Sequence, residues 1–169
     1  RLVELSTDGF VTTALTKKLD NTASKDVWVM ETLDIGALKG KVFQLRFRFD
    51  SKDAFSNKTK GWFVDDVAIY AGPVVKVTAL AAYDDDFKAA NDNGWHMSAQ
   101  YANNASVWAL DKTPSPGGYA DESLNFNDGV DFASGTSKAA GWVLSPVIDL
   151  TGVTSGSVTL MFKSYFDSE

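Results

Sequence analysis

An all-β sandwich of the jelly-roll kind is the fold this sequence predicts, on three observations. Apolar residues recur with period 2 rather than 3.6. The segments that do so are short. Turn-forming residues stand between them, as in Thr7-Asp8-Gly9, Pro114-Ser115-Pro116-Gly117-Gly118 and Asn127-Asp128-Gly129.

The strands follow in order. Leu2–Ser6 and Val27–Thr32 open the series. Phe43, Leu45, Phe47 and Phe49 then alternate with Gln44, Arg46, Arg48 and Asp50, which gives one apolar and one polar face. Trp62–Tyr70, Val74–Leu80, Trp95–Ser98, Ser106–Leu110, Ser123–Phe126 and Gly141–Leu144 continue it. Val158, Leu160 and Phe162 close it, alternating with Thr159, Met161 and Lys163. Many short strands with regular turn signals make a sandwich or barrel. Helix is scarce; Asp86–Asn91 has room for about one turn.

Composition narrows the function classes. The 169 residues are 44% hydrophobic and include 11 Phe, 5 Trp and 5 Tyr, enough to fill a core. Sixteen basic against 22 acidic residues leave a net charge of −6, which disfavours a nucleic-acid partner. No apolar run is long enough for a membrane-spanning helix, so no membrane insertion is expected. The absence of Cys removes disulfides and thiol chemistry, and the lone His96 rules out multi-His metal sites within one chain. The chain starts at Arg1 without Met, as expected of a processed chain, a fragment or a slice of something longer.

Charge divides at Ala71-Gly72-Pro73. Residues 1–70 carry 11 basic and 10 acidic residues, and residues 71–169 carry 5 and 12. Two stretches then carry a resemblance. Leu45-Arg46-Phe47-Arg48-Phe49-Asp50-Ser51-Lys52-Asp53, Asn57 and Gly61-Trp62-Phe63-Val64-Asp65-Asp66-Val67 resemble the closing strands of MAM-like jelly-roll domains. These are the choice-of-anchor and immune-inhibitor-A-type accessory domains of bacterial extracellular proteins. Ser145-Pro146-Val147-Ile148-Asp149-Leu150-Thr151-Gly152, Val158–Phe162 and Phe166-Asp167-Ser168-Glu169, with Trp95 and Gly141 upstream, resemble the opening half.

The halves stand in swapped order. Residues 1–72 read as the closing half, 73–79 as a linker and 80–169 as the opening half. Several readings follow: a circular permutant, one period of a tandem array cut out of phase, a subunit holding two half-domains each completed by a neighbour, or a fragment spanning two domains of a larger secreted protein. Half a jelly roll exposes unpaired strand edges, so residues 1–70 must pair with 80–169 somewhere. The expectation is pairing with another copy, each chain donating strands to the next.

The resemblance also implies a structural Ca²⁺ tying first strand to last. Asp66 and Asp86 are its first expected ligands, with Asp65, Asp121 and Glu122 behind them. Ca²⁺ takes six to eight oxygens and tolerates irregular loops. The alternative is a solvated acidic loop, or an Arg or backbone N–H as partner. Under strict alternation one of Asp65 and Asp66 must point inward, which asks for such a partner.

Trp28, Trp62, Trp95, Trp108 and Trp142 each sit among aliphatic residues, so core packing is their expected role; stacking on sugars is the alternative. No nucleophile elbow or phosphate-binding glycine loop is present. With 22 acidic residues, some carboxylate pair will satisfy glycosidase spacing by chance. Asn57-Lys58-Thr59 and Asn104-Ala105-Ser106 match the N-glycosylation sequon, a short pattern with a high chance rate. Lys17-Lys18 read as edge-blunting charges.

The expectation is therefore a domain without catalytic activity, extracellular or at the cell surface. Its expected role is a structural repeat of a fibre, filament or adhesin stalk, with copies of itself as partners. The alternative is a carbohydrate- or protein-binding accessory module of a secreted hydrolase, with surface glycans among its ligands. An exposed aromatic pair flanking a groove, together with monomeric behaviour, would mark the alternative.

Overall fold

A computed structural model describes residues 1–20, 26–53, 55, 59–72, 81–87, 93–99, 107–111, 122–127, 131–132 and 138–167. Among the described residues the regular structure comprises twelve strands and one short 3₁₀ turn. In chain order they are β1 (Leu2–Ser6), β2 (Leu15–Lys18), β3 (Val29–Asp34), β4 (Val42–Asp50), β5 (Gly61–Ala71) and β6 (Ala81–Asp85). There follow β7 (His96–Ala99), β8 (Val107–Asp111), β9 (Ser123–Asn127), β10 (Ala140–Leu144), β11 (Ile148–Asp149) and β12 (Val158–Asp167).

Two antiparallel sheets pack face to face as a sandwich. The first runs β2-β1-β4-β10-β7, with β11 also paired to β4. The second runs β3-β12-β5-β9-β8, with β6 also paired to β5. The alternation in β4 does what period 2 predicts: Phe43, Leu45, Phe47 and Phe49 are buried, while Gln44, Arg46 and Arg48 line the opposite face. Phe47 sits among Trp62, Trp95 and Phe162, with ring centroids at 5.7, 5.9 and 5.1 Å. Phe49 meets Phe126 at 4.8 Å and Phe132 at 5.1 Å. These rings join the two sheets into one core.

Both sheets are built from both halves of the chain. β4 pairs with β10 and β11, β3 and β5 pair with β12, and β5 pairs with β6 and β9. Residues 1–70 were expected to find their partners in another copy; here those partners are residues 81–167 of the same chain. The physical demand behind that expectation, that strands of one half pair with strands of the other, is met within the chain. The expected linker 73–79 and strand Val74–Leu80 lie outside the described residues, as do the turn Pro114–Gly118 and most of the expected helical turn.

Local chemistry sets several element ends. Ser145 stops β10: its Oγ accepts the Leu45 amide at 2.9 Å and donates to the Pro146 carbonyl at 2.7 Å. Pro146 lacks an N–H, so the strand resumes only as the two-residue β11. Asp149 then accepts from the Thr151 hydroxyl and amide, and those two bonds lower its pKa. Lys17 of β2 crosses between the sheets, donating to Glu31 at 3.1 Å and to the Thr32 carbonyl of β3 at 3.0 Å. It thereby occupies an acceptor on the open edge of β3, as edge lysines do.

Gly61 opens β5 with φ of +94°. A side chain there would collide with the Phe126 carbonyl of β9, and that backbone cannot yield without breaking the sheet. Gly61→Ala is therefore expected to destabilise the domain by about 3 kcal/mol or more, read from chemical denaturation. A loss under about 1 kcal/mol would show that β9 can move away.

Candidate functional site

Of the acidic residues singled out by sequence, Asp65 and Asp66 lie on β5, and Asp86 and Glu122 lie near the ends of the two strands that pair with it. The β9 register on β5 ends at Val64↔Leu124, and the β6 register begins at Val67↔Asp85. Asp65 and Asp66 lie between them. Asp86 is the next residue beyond the β6 register and Glu122 lies two residues beyond the β9 register, while Asp121 lies outside the described residues. Against β12 the register slips here between Met161 and Lys163, and Asp66 takes φ of +47°. This bulge overturns strict alternation: Trp62, Val64, Val67 and Ile69 all enter the core, so neither aspartate has to.

Asp65 is nonetheless buried, with its Oδ1 accepting the Asp66 amide at 2.6 Å. Asp66 pairs with Lys163 at 2.5 Å. Among the described residues no three acidic or histidine side chains are grouped so as to hold a metal ion. The cation this junction holds is Lys163.

Asp85, which the sequence reading passed over, is the better-connected carboxylate. It accepts from Trp95 Nε1 at 2.8 Å, Asn93 Nδ2 at 2.8 Å and the Phe87 amide at 3.0 Å. Burial and the nearby Asp85 push the Tyr83 phenol above its ordinary pKa, so Tyr83 stays a neutral donor toward it at 3.4 Å. These bonds are internal, and they serve the fold rather than a ligand.

Among the described residues, the outer side of the first sheet carries a mixture of half-buried and exposed side chains. Register places two rows across it. One row runs Trp142 (β10), Arg48 (β4), Leu2 (β1), Lys18 (β2). The other runs His96 (β7), Leu144 (β10), Arg46 (β4), Glu4 (β1), Thr16 (β2). Five strands at about 4.8 Å spacing make the face about 19 Å wide. Trp142 is half-buried, His96 is exposed, and their rings lie 5.8 Å apart.

The two arginines differ. Arg46 is held by Glu4, with Nε and a terminal nitrogen each 2.8 Å from Oε2, and its guanidinium stacks on Phe10 at 4.1 Å. Arg48 is partly buried and has no ion pair or hydrogen bond among the described residues.

Phe10 belongs to the loop between β1 and β2, which borders the face. Ser6 Oγ anchors that loop, accepting the Phe10 amide at 2.9 Å and donating to Asp8 at 2.7 Å. The Thr12 hydroxyl and amide, and then Ser6, hold the Asp8 pKa down at about 2. A depressed carboxylate pKa adds stability above the ordinary value near 4. That contribution is lost as pH falls through the folded-state value. The loop is thus expected to keep its order at pH 4 and lose it toward pH 2, read from the Thr12 amide resonance. A midpoint at 4 would contradict this assignment.

A cavity of about 180 Å³ lies at the far end of this sheet, lined by Ser6, Gly9, Val42, Phe43 and Val147 among others. It is smaller than the roughly 300–1,000 Å³ of small-molecule sites.

Three of the five tryptophans, Trp62, Trp95 and Trp108, are core residues as expected. Trp142 and Trp28 are the exceptions, half-buried rather than in the core; Trp28 lies against Tyr165 at 5.6 Å. The alternation in β4 already pointed Arg46 and Arg48 outward. That Trp142 stands beside Arg48 depends on register, which no local pattern reveals.

In comparison with known proteins, no family model, no curated protein and no solved structure matches the chain. Among the described residues no helix is long and apolar enough to cross a membrane.

Proposed function

We propose that this chain is a non-catalytic binding module of the cell exterior, with a carbohydrate as its ligand and the outer face of the first sheet as its binding surface. One observation carries the reading: Trp142 and His96 form an aromatic pair on an open sheet face rather than in the core. A flat indole offers its π-face to the C–H face of a sugar ring, and strands hold it more rigidly than a loop would. A face about 19 Å wide suits an extended chain better than a single small molecule.

Affinity electrophoresis against a panel of neutral and charged polysaccharides tests this. The wild-type chain should be retarded by at least one polymer, and Trp142→Ala should abolish the retardation without changing the melting temperature. Retention unaffected by Trp142→Ala would defeat the proposal.

Assembly of copies into a fibre is the second reading, favoured by a different observation. Because both sheets draw strands from both halves, residues 81–167 of one copy fit the sheets of another through the same pairings. Light scattering across a concentration series tests it; a monomer at every concentration would sink it. Calcium belongs to either reading as a structural tie at Asp86 and Glu122, where it would compete with Lys163 for Asp66. Chelation should then lower the melting temperature by several degrees. An unchanged curve after verified metal removal dismisses the ion.

A further inference from the structure

We propose that the Trp142–Arg48 row selects an anionic polysaccharide built of carboxylated sugars, the indole stacking on the sugar ring and the Arg48 guanidinium taking the carboxylate. This rests on the binding-module reading and adds the charge of its ligand. Trp142 and Arg48 are paired directly across β10 and β4, with neighbouring Cα atoms about 5 Å apart. A sugar carboxylate projects from the ring periphery. A group stacked on Trp142 would therefore present that carboxylate beside the indole, where Arg48 stands.

The charge argument is specific to Arg48. Its neighbour Arg46 is neutralised by Glu4 and stacked on Phe10, so it braces the face instead of attracting a ligand. Arg48 is partly buried with no acceptor among the described residues. A partly desolvated cation without a partner is costly, and an incoming carboxylate offsets that cost with two parallel N–H···O bonds. Lys18 at the far end of the same row adds a second positive charge for a polymer that continues across the sheet. The protein carries a net charge of −6, so general electrostatics would repel a polyanion. Selection of an anion must come from this local row. A nucleic acid fits poorly, because its affinity depends on many phosphate contacts and one row supplies two cations.

The experiment uses the whole chain with two polymers of one backbone, polygalacturonate and its fully methyl-esterified form, together with alginate as a second polyuronate. Binding is followed by calorimetry at 50 and 300 mM salt. We expect polygalacturonate or alginate to bind at least tenfold tighter than the methyl ester, with affinity falling as salt rises. Arg48→Gln should remove that preference and leave any binding of the ester unchanged. Trp142→Ala should weaken binding of all three polymers, and Trp142→Phe should restore most of it. Melting curves of the variants should stay close to the wild type, since Arg48 has no hydrogen bond or ion pair among the described residues and Trp142 contacts only the exposed ring of His96 among the described aromatic residues. Equal affinity for the acid and its ester would overturn this inference while leaving the module reading intact. So would a preference that survives Arg48→Gln. Failure of the wild type to bind either polyuronate would overturn it as well, while any neutral polymer retained through Trp142 would keep the broader proposal.

Discussion

Phe47→Ala should cost the domain about 4 kcal/mol, the range measured for aromatic residues lost from packed cores. Phe47 is fully buried at the centre of β4, between Val3 of β1 and Val143 of β10. Its ring reaches across to Trp62 and Phe162 of the opposite sheet and stacks on Trp95 at an interplanar angle of 15°. Removing it opens a cavity walled by three large rings that cannot all collapse inward. For a domain of this size the melting temperature should fall by about 8–16 °C. Phe55, 81% exposed, supplies the contrast: Phe55→Ala should stay within about 0.5 kcal/mol. Equal effects at the two positions would mean that the core is not organised around Phe47.

The second large effect is expected at Asp85. Asp85→Ala removes the acceptor for the Trp95 indole and the Phe87 amide, both buried, and for Asn93. Each buried donor left without a partner costs about 1–3 kcal/mol, so the total should reach about 3–5 kcal/mol. The residue also holds two backbone positions with positive φ, Phe87 at 52° and Asn93 at 44°. Such conformations persist only where surrounding bonds over-determine them. Asp85→Asn keeps one carbonyl acceptor and should lose less than Asp85→Ala. Trp95 fluorescence should shift to longer wavelength in the alanine variant as water reaches the indole. An unshifted spectrum with unchanged stability would show that the indole finds another acceptor.

Much of the sandwich was legible because β4 and β12 carry strong period-2 patterns. The strands that escaped notice lack that signal. Leu15-Thr16-Lys17-Lys18 offers one large apolar residue, and Ala81-Ala82-Tyr83-Asp84-Asp85 is poor in β-branched residues. Both are strands because a neighbour supplies the pairing. β11 is two residues long, below what any periodicity can register. The acidic residues were legible as composition, and Asp65 and Asp66 do lie side by side on β5. The bulge at Asp66 was not, since one extra residue leaves the local pattern almost unchanged. Trp142 was assigned to the core because Val143 and Leu144 follow it; only the pairing with Arg48 shows that it faces outward.

The interleaving of the two halves has a kinetic consequence. β1 and β4 form at one end of the chain, yet β3 and β5 wait for β12, about a hundred residues later. During synthesis at about 5–20 residues per second, the first half emerges roughly 5–20 s before β12. Over that interval Phe43, Leu45, Phe47 and Phe49 lack the opposing sheet, and β5 lacks neighbours on both sides. Folding is expected to be slow, because the pairings that join the two halves, β3–β12, β5–β12, β5–β9 and β4–β10, each close a long loop.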